Sequence, residues 1–397
     1  MIYLDNAATT RVRHEVVEAM LPYFTEYYGN PESVHAAAEA PKRAIEKAEQ
    51  QVRDLLHSYG QGKVIFTSGG TEANNMVFKM CRDPKQMVLN IITSPTEHKS
   101  VLEPAKASER ATLRFLRPGK QGFVSRDMLT PMDVPTFSLV SLMHMNNETG
   151  TVNDVYKIGE TMNRFADLDV FYHVDCIQSA GELPIFVHDM HVDMVSISSH
   201  KIHGPKGVGC LWVSNRLMER VVDGRNMAAI IGGGQQDGFR AGTMDVPSIV
   251  GFGKACELAA DTQQNKIIIN MLAGLFLDKL TKCCERKNIK LELNFSDEGS
   301  HDNKILSIRF DGADAETVVM VASRNGLCIS NGAACNSVLS EPSYVLLNSG
   351  LSPDEARNTV RVSFSCDNTL AEVEQAAEIL ASSVEEVLAL NLTPVVS

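Results

Sequence analysis

Met194-Val195-Ser196-Ile197-Ser198-Ser199-His200-Lys201-Ile202-His203-Gly204-Pro205-Lys206-Gly207-Val208-Gly209-Cys210-Leu211-Trp212-Val213 reads as two short apolar runs around a turn rich in glycine, proline and cations. Short apolar runs bounded by turn residues are the mark of strands buried inside a sheet. Lys201 stands where the first run ends. A lysine at the mouth of an apolar sheet loses hydration, its pKa falls, and the neutral amine can form a Schiff base. An exposed loop lysine is the plain alternative, and Lys206 on the same turn is a competing candidate.

The same grammar extends upstream. Val64-Ile65-Phe66-Thr67, Val88 to Ile92, Phe137 to Leu142 and Val170 to Val174 are further apolar runs. They alternate with helical segments, and residues 15–28 and 35–58 also carry helical spacing. Strands alternating with helices predict an α/β fold with a mostly parallel sheet covered on both faces. From about residue 255 the pattern changes. A long helical stretch from Ile267 to Cys284 leads to a strand at Lys304–Phe310, a helix near 314–325, a strand at 360–365 and a terminal helix. Ser352-Pro353-Asp354-Glu355 and Thr369-Leu370-Ala371-Glu372 are capping boxes, the first with proline at the opening helical position. Mixed elements of this kind predict a smaller α+β domain, and the polar run Ser296–Asn303 is expected to be a surface loop.

The chain has 397 residues, 44% hydrophobic and 22% charged, which excludes disorder and allows one large domain and one small one. Its net charge of −12 argues against direct binding to nucleic acid or to anionic membranes. No apolar run approaches a membrane span, and the start at Met1-Ile2-Tyr3-Leu4 lacks the basic and apolar regions of a signal peptide. The nine cysteines are scattered without a CxxC pair, so neither a disulfide framework nor a metal site is expected and a reducing cytoplasm fits best.

Three more groups fall at strand-to-helix junctions. Ser68-Gly69-Gly70-Thr71-Glu72 is either an anion cradle at a helix N-terminus or a plain turn; it lacks the lysine of a P-loop. Asp175, in His173-Val174-Asp175-Cys176-Ile177-Gln178, could pair with a protonated ring nitrogen or cap a following helix, and Gln178 could donate to an adjacent oxygen. His98, in Thr96-Glu97-His98-Lys99-Ser100, is structural or catalytic. Ligands of open α/β sheets bind at the carboxyl ends of the strands. A phosphate loop, a Schiff-base lysine and a ring-nitrogen acid together meet the needs of pyridoxal 5'-phosphate (PLP).

With these residues in view, the chain resembles the cysteine desulfurases of the NifS/IscS type, class V aminotransferase-like enzymes of PLP fold-type I. The resemblance runs nearly end to end, through Tyr3 to Thr10, Tyr28-Gly29-Asn30-Pro31, Ser68 to Asn75, Thr96-Glu97-His98, Asn146 to Gly150, His173-Val174-Asp175, Ser198 to Gly207, Arg240-Ala241-Gly242-Thr243 and Glu341-Pro342-Ser343-Tyr344. It implies a large PLP-binding domain at 15–255 with a seven-stranded sheet, and a small domain from 1–14 and 256–397 that carries the catalytic cysteine.

The resemblance also implies roles. Lys201 would carry the PLP, His98 would stack on its ring and shuttle protons, and Asp175 would hold the ring N–H. Gln178 and Asn147 would bond near the phenolate oxygen, with Asn147 also facing substrate. Gly70, Thr71, Ser198 and His200 would seat the phosphate, and Thr243 would reach it from the second subunit of a homodimer. Arg361 would clamp the substrate α-carboxylate. Cys335, in Asn331-Gly332-Ala333-Ala334-Cys335-Asn336-Ser337, would take sulfur from L-cysteine as a persulfide, leaving alanine. Cys328 is close in sequence but sits in the strand-like Leu327-Cys328-Ile329-Ser330. The family loop more often reads Ser-Gly-Ser-Ala-Cys, a departure that bears on loop dynamics and acceptor choice. The persulfide would pass to an acceptor protein in iron–sulfur assembly, tRNA thiolation or DNA phosphorothioation. Selenocysteine lyase, transamination and a non-catalytic docking protein are the rival readings.

Overall fold

The computed structural model describes residues 1–81, 89–109, 111–119, 122–129, 134–135, 137–165, 169–220, 228, 230–294, 301–332 and 341–392. In chain order the strands are β1 (Ile2–Tyr3), β2 (Lys63–Thr67), β3 (Leu89–Thr93), β4 (Ala111–Phe115), β5 (Ser138–Met143), β6 (Val170–Asp175), β7 (Met194–Ser198), β8 (Gly209–Val213), β9 (Leu291–Leu293), β10 (Ile305–Phe310), β11 (Leu327–Cys328) and β12 (Thr359–Ser363).

Seven of them form the central sheet, in the order β2-β8-β7-β6-β5-β3-β4. Pairings from β7 through β4 are parallel, and only β8 runs against its neighbours. This is the mostly parallel α/β sheet predicted from the apolar runs. Every residue of β5, β6, β7 and β8 is buried. The alternation puts Val64, Phe66, Val140, Leu142 and Trp212 into one core, with the helices Glu39–Leu55 and Val246–Ala259. Ile65, Leu139, Phe171 and Leu211 enter the core on the opposite face, with the helices Gly70–Met80 and Lys99–Lys106. Polar residues inside these strands pair across the sheet. Ser141 Oγ lies 2.8 Å from His173 Nδ1 and His173 Nε2 lies 2.9 Å from Ser196 Oγ. Burial holds the His173 ring far down, at about 3, so the row stays neutral.

A separate core surrounds the antiparallel sheet β12-β10-β9 and the helices Thr262–Arg286 and Leu370–Leu392. Phe276 and Phe364 meet edge to face there, centroids 5.5 Å apart, a geometry worth about 1 kcal/mol beyond the area buried. Ile2 and Leu4, at the start of the chain, belong to this core, and β1 pairs in parallel with β11. The long helix begins at Thr262, earlier than the apolar run suggested, because Asp261 caps it by accepting from the Gln264 N–H at 3.0 Å. Both capping boxes are present at Ser352/Glu355 and Thr369/Glu372.

Two expectations change. β4 was not foreseen, because Ala-Thr-Leu-Arg-Phe lies at the sheet edge with no buried residue in it. No helix follows Asp175, so it caps none; Oδ1 instead accepts from the Ile177 N–H at 2.9 Å within a turn. The polar run 296–303 falls largely outside the described residues, and His301 at its end bridges to Thr151. No helix among the described residues is long and apolar enough to cross a membrane.

Candidate active site

The strands β2, β3, β5, β6 and β7 end on one edge of the sheet, and the chain order reverses between β3 and β5. A crevice opens at such a reversal. It is a cavity of about 300 Å3 lined by Gly70, Thr71, His98, Asn147, Asp175, Gln178, Ser198, His200, Lys201 and Arg361, all predicted from sequence. Thr243 does not line it; that residue is exposed after the turn at Gly242. Cys335, with the rest of 333–340, lies outside the described residues, although Gly332 just before it lines the cavity wall.

Lys201 ends the short turn Ser199–Lys201 that follows β7. Its Nζ donates to the Ala7 and Ala8 carbonyls at 2.5 and 2.9 Å. Burial, with Arg361 and Lys304 nearby, pushes its amine down to about 7. Lys206, beyond the turn, is exposed and outside the cavity. The two lysines are thereby separated.

Asp175 closes β6. Its Oδ2 accepts from Asn74 Nδ2 at 2.8 Å. Burial raises its pKa, while the Ile177 N–H and Asn74 pull it down. His98 precedes the helix Lys99–Lys106 as its N-cap, its Nδ1 accepting from the Ser100 N–H at 3.1 Å. Burial holds its ring below the usual range. His200 is held lower, at about 4, and its Nδ1 lies 3.1 Å from Thr9 Oγ1.

Arg361, on β12, reaches the cavity from the second core and is 3% exposed. It donates to Asp5 Oδ1 and to the Asn147 carbonyl, each at 2.8 Å, while its Nε has no partner among the described residues. Lys304, at the foot of β10, also crosses over: its Nζ is 3.1 Å from Glu182 and within 3.5 Å of the Gln178 carbonyl. An ion pair this deeply buried fixes position more than it adds stability. It holds the turn that carries Gln178.

Glu148 and Ser343 stand in the motifs Asn146 to Gly150 and Glu341-Pro342-Ser343-Tyr344, where residue type alone points to no role for either. Glu148 lines the cavity and accepts from Ser343 Oγ at 2.5 Å, and burial lifts its carboxyl to about 7. A Cβ on Gly332, whose φ is +80°, would come within 3.2 Å of Glu148 Oε2, so a bare backbone is what fits there. Asn74 and Ser100, likewise unassigned, surround Asp175 and His98.

The set fits a phosphorylated pyridine aldehyde. The helix Gly70–Met80 is capped by Gly69, which offers no side chain, so its first turn presents N–H groups to an anion beside Ser198 and His200. A Cβ on Gly70 would lie 2.2 Å from Ile177 Cδ1, so only glycine lets Ile177 pack against the start of this helix. Gln178 Oε1 and Arg361 Nε are buried polar atoms without partners among the described residues, on residues that line the cavity. A low-pKa amine and a buried carboxylate complete the requirements.

The family model for class-V aminotransferases matches residues 2–376. A cysteine desulfurase of Cereibacter sphaeroides is 35% identical, over 98% of this chain and 97% of its own. Cysteine desulfurase IscS 1 of Archaeoglobus fulgidus is 35% identical, over 98% and 99%. Among solved structures, a NifS-like protein from Rickettsia africae superposes with a TM-score of 0.81 at 27% identity, covering 98% of this chain and 99% of its own. SspA in complex with cysteine gives 0.74 at 31% identity, covering 93% and 100%.

Proposed function

The chain belongs to the class-V aminotransferase family, and on that footing we propose that it is a PLP-dependent cysteine desulfurase. The observation that carries this reading is one cavity holding a lysine amine lowered to about 7 together with Asp175, His98 and Arg361. The desulfurase names of the relatives and the cysteine bound to SspA support the substrate.

When bound, PLP supplies an electron sink for the substrate carbon that bears the carboxylate. In this reading Lys201 holds the cofactor, and once freed it takes the proton from the substrate Cα. Asp175 keeps the ring nitrogen protonated, and His98, Gln178 and Asn147 hold the ring. Gly70, Thr71, Ser198 and His200 hold the phosphate. Arg361, oriented by Asp5 and the Asn147 carbonyl, receives the α-carboxylate in a planar fork. The Cys335 thiolate attacks the substrate Sγ. An S–S bond forms and the Cβ–Sγ bond breaks. Its electron pair stays on carbon, which gains a proton and leaves as L-alanine, while the sulfur remains on Cys335 as a persulfide for an acceptor protein.

Five of the eight described cysteines suit this assignment. Burial pushes the thiols of Cys81, Cys176, Cys210 and Cys256 far above their ordinary value and Cys284 to about 11, where a thiolate is scarce. The homodimer belongs to the same proposal. Thr243, exposed and away from its own cavity, would serve the partner's phosphate, and exposed Phe24, Tyr28 and Ile231 supply apolar surface to cover.

In the test, purified protein with L-cysteine and a reductant releases alanine and sulfide in equal amounts. Lys201→Ala loses the activity and Lys206→Ala keeps it. Activity that survives in Lys201→Ala, or pyruvate in place of alanine, overturns the reading.

A further inference from the structure

Four buried or partly buried side chains from three elements make one continuous hydrogen-bonded row under the cavity. Asp175 Oδ2 lies 2.8 Å from Asn74 Nδ2, Asn74 Nδ2 lies 2.8 Å from Ser100 Oγ, and Ser100 Oγ lies 2.8 Å from His98 Nδ1. Asn74 is fully buried in the helix Gly70–Met80, and Ser100 is 6% exposed in the helix Lys99–Lys106.

Donor and acceptor accounting gives the row a direction. Asp175 Oδ2 accepts from Asn74 Nδ2, so the amide turns its N–H side toward the carboxyl group. With the amide so turned, its other N–H points at Ser100 Oγ, and its Oδ1 is left buried without a partner among the described residues. Turning the amide over would set oxygen against oxygen at Asp175. Ser100 Oγ accepts from the Asn74 N–H, so its own O–H is free to donate to His98 Nδ1. The Ser100 backbone N–H meets the same ring nitrogen at 3.1 Å. Two donors converging on Nδ1 leave no room for a proton there.

We propose that Asn74 and Ser100 are positioning residues that relay the orientation of Asp175 to His98 and hold its neutral imidazole as the Nε2–H tautomer, so that His98 meets the cavity as a hydrogen-bond donor. The ring is neutral because burial, with Lys201 and Lys99 nearby, outweighs the attraction of Asp175. His98 thus carries its proton on Nε2, the ring nitrogen that Ser100 does not engage. It could act as a base there only by becoming a cation beside Lys201. The meaning of this for catalysis rests on the desulfurase reading; the tautomer itself does not.

The tautomer is read from the 15N resonances of the full-length protein labelled at histidine, with His98 assigned by its loss in His98→Gln. The expected result is a pyridine-like Nδ1 and a pyrrole-like Nε2. Ser100→Ala removes one of the two donors and shifts the tautomer ratio toward Nδ1–H about fivefold, the effect of one hydrogen bond; Ser100→Thr restores it. A protonated Nδ1 in the unaltered protein overturns the proposal. An unchanged ratio in Ser100→Ala also overturns the relay, since the backbone N–H alone would then set the tautomer. If Ser100→Ala does not fold, the unaltered protein and Ser100→Thr decide, because both must show Nε2–H. No substrate is needed, so a failed desulfurase assay and a failed tautomer assignment are separate results.

Discussion

Lys201 and Lys206 share one turn and differ in solvation, and that difference gives them different chemistry. Lys201 is withdrawn among carbonyls with Arg361 and Lys304 nearby, and its amine is pushed down to about 7. Only the neutral amine attacks a carbonyl. A lowered pKa therefore predicts that PLP uptake by apoprotein quickens as pH rises through about 7 and levels off above it. An unperturbed lysine would still be gaining at pH 10. Stopped-flow absorbance against pH distinguishes the two curves. His98 and Asp175 were legible in the sequence because their residue types suit the chemistry and their motifs stand at strand-to-helix junctions, whereas Arg361, in the middle of β12, was assigned only through the resemblance. Asn74 and Glu148 were not assigned, because an amide and a protonatable acid acquire a role only from neighbours far away in the chain, and Ser100, two residues from His98, joins the row only through Asn74. Asn74 meets Asp175 across 101 residues, and Glu148 meets Ser343 across 195.

At the scale of elements, the strands that could be read in advance are the ones buried on both faces. β5 to β8 are runs of apolar residues because the sheet is covered above and below. β4, β9 and β1 escaped notice, the first two because an edge strand needs no continuous apolar run, the third because two residues carry no period. Helix starts were read from caps more surely than from hydrophobic period. The box at Thr369 satisfies N–H groups in both directions: the Glu372 carboxylate accepts from the Thr369 N–H at 2.8 Å, and the Glu372 N–H donates to Thr369 Oγ1 at 3.2 Å. The helix it opens, Leu370–Leu392, packs in the second core with Thr262–Arg286. Thr369→Ala is expected to cost about 1 kcal/mol of stability and to leave the cavity untouched. Denaturant unfolding monitored alongside PLP content checks both halves, and a loss of PLP without a loss of stability would contradict it.

The whole molecule brings two cores to one site. The central sheet supplies Lys201, Asp175 and His98, while the second core supplies Arg361 on β12 and the buried Lys304 on the approach to β10. The site therefore depends on the two being held in register, and the Arg361 bond to the Asn147 carbonyl and the Lys304–Glu182 pair are polar ties that join them. Exposed Phe24, Tyr28, Val34 and Ile231 remain as apolar surface on a chain whose charge of −12 would otherwise keep copies apart. Light scattering is expected to give twice the chain mass of 43.5 kDa, and Thr243→Val to weaken PLP binding without altering that mass. A monomer that holds PLP fully would contradict the shared site. The central claim, transfer of sulfur to Cys335, is tested most directly by a single turnover with L-cysteine and no reductant, followed by peptide mapping. The account predicts one added sulfur on the peptide that contains Cys335 and one alanine released. Alanine released with sulfur on another cysteine, or on none, would contradict it.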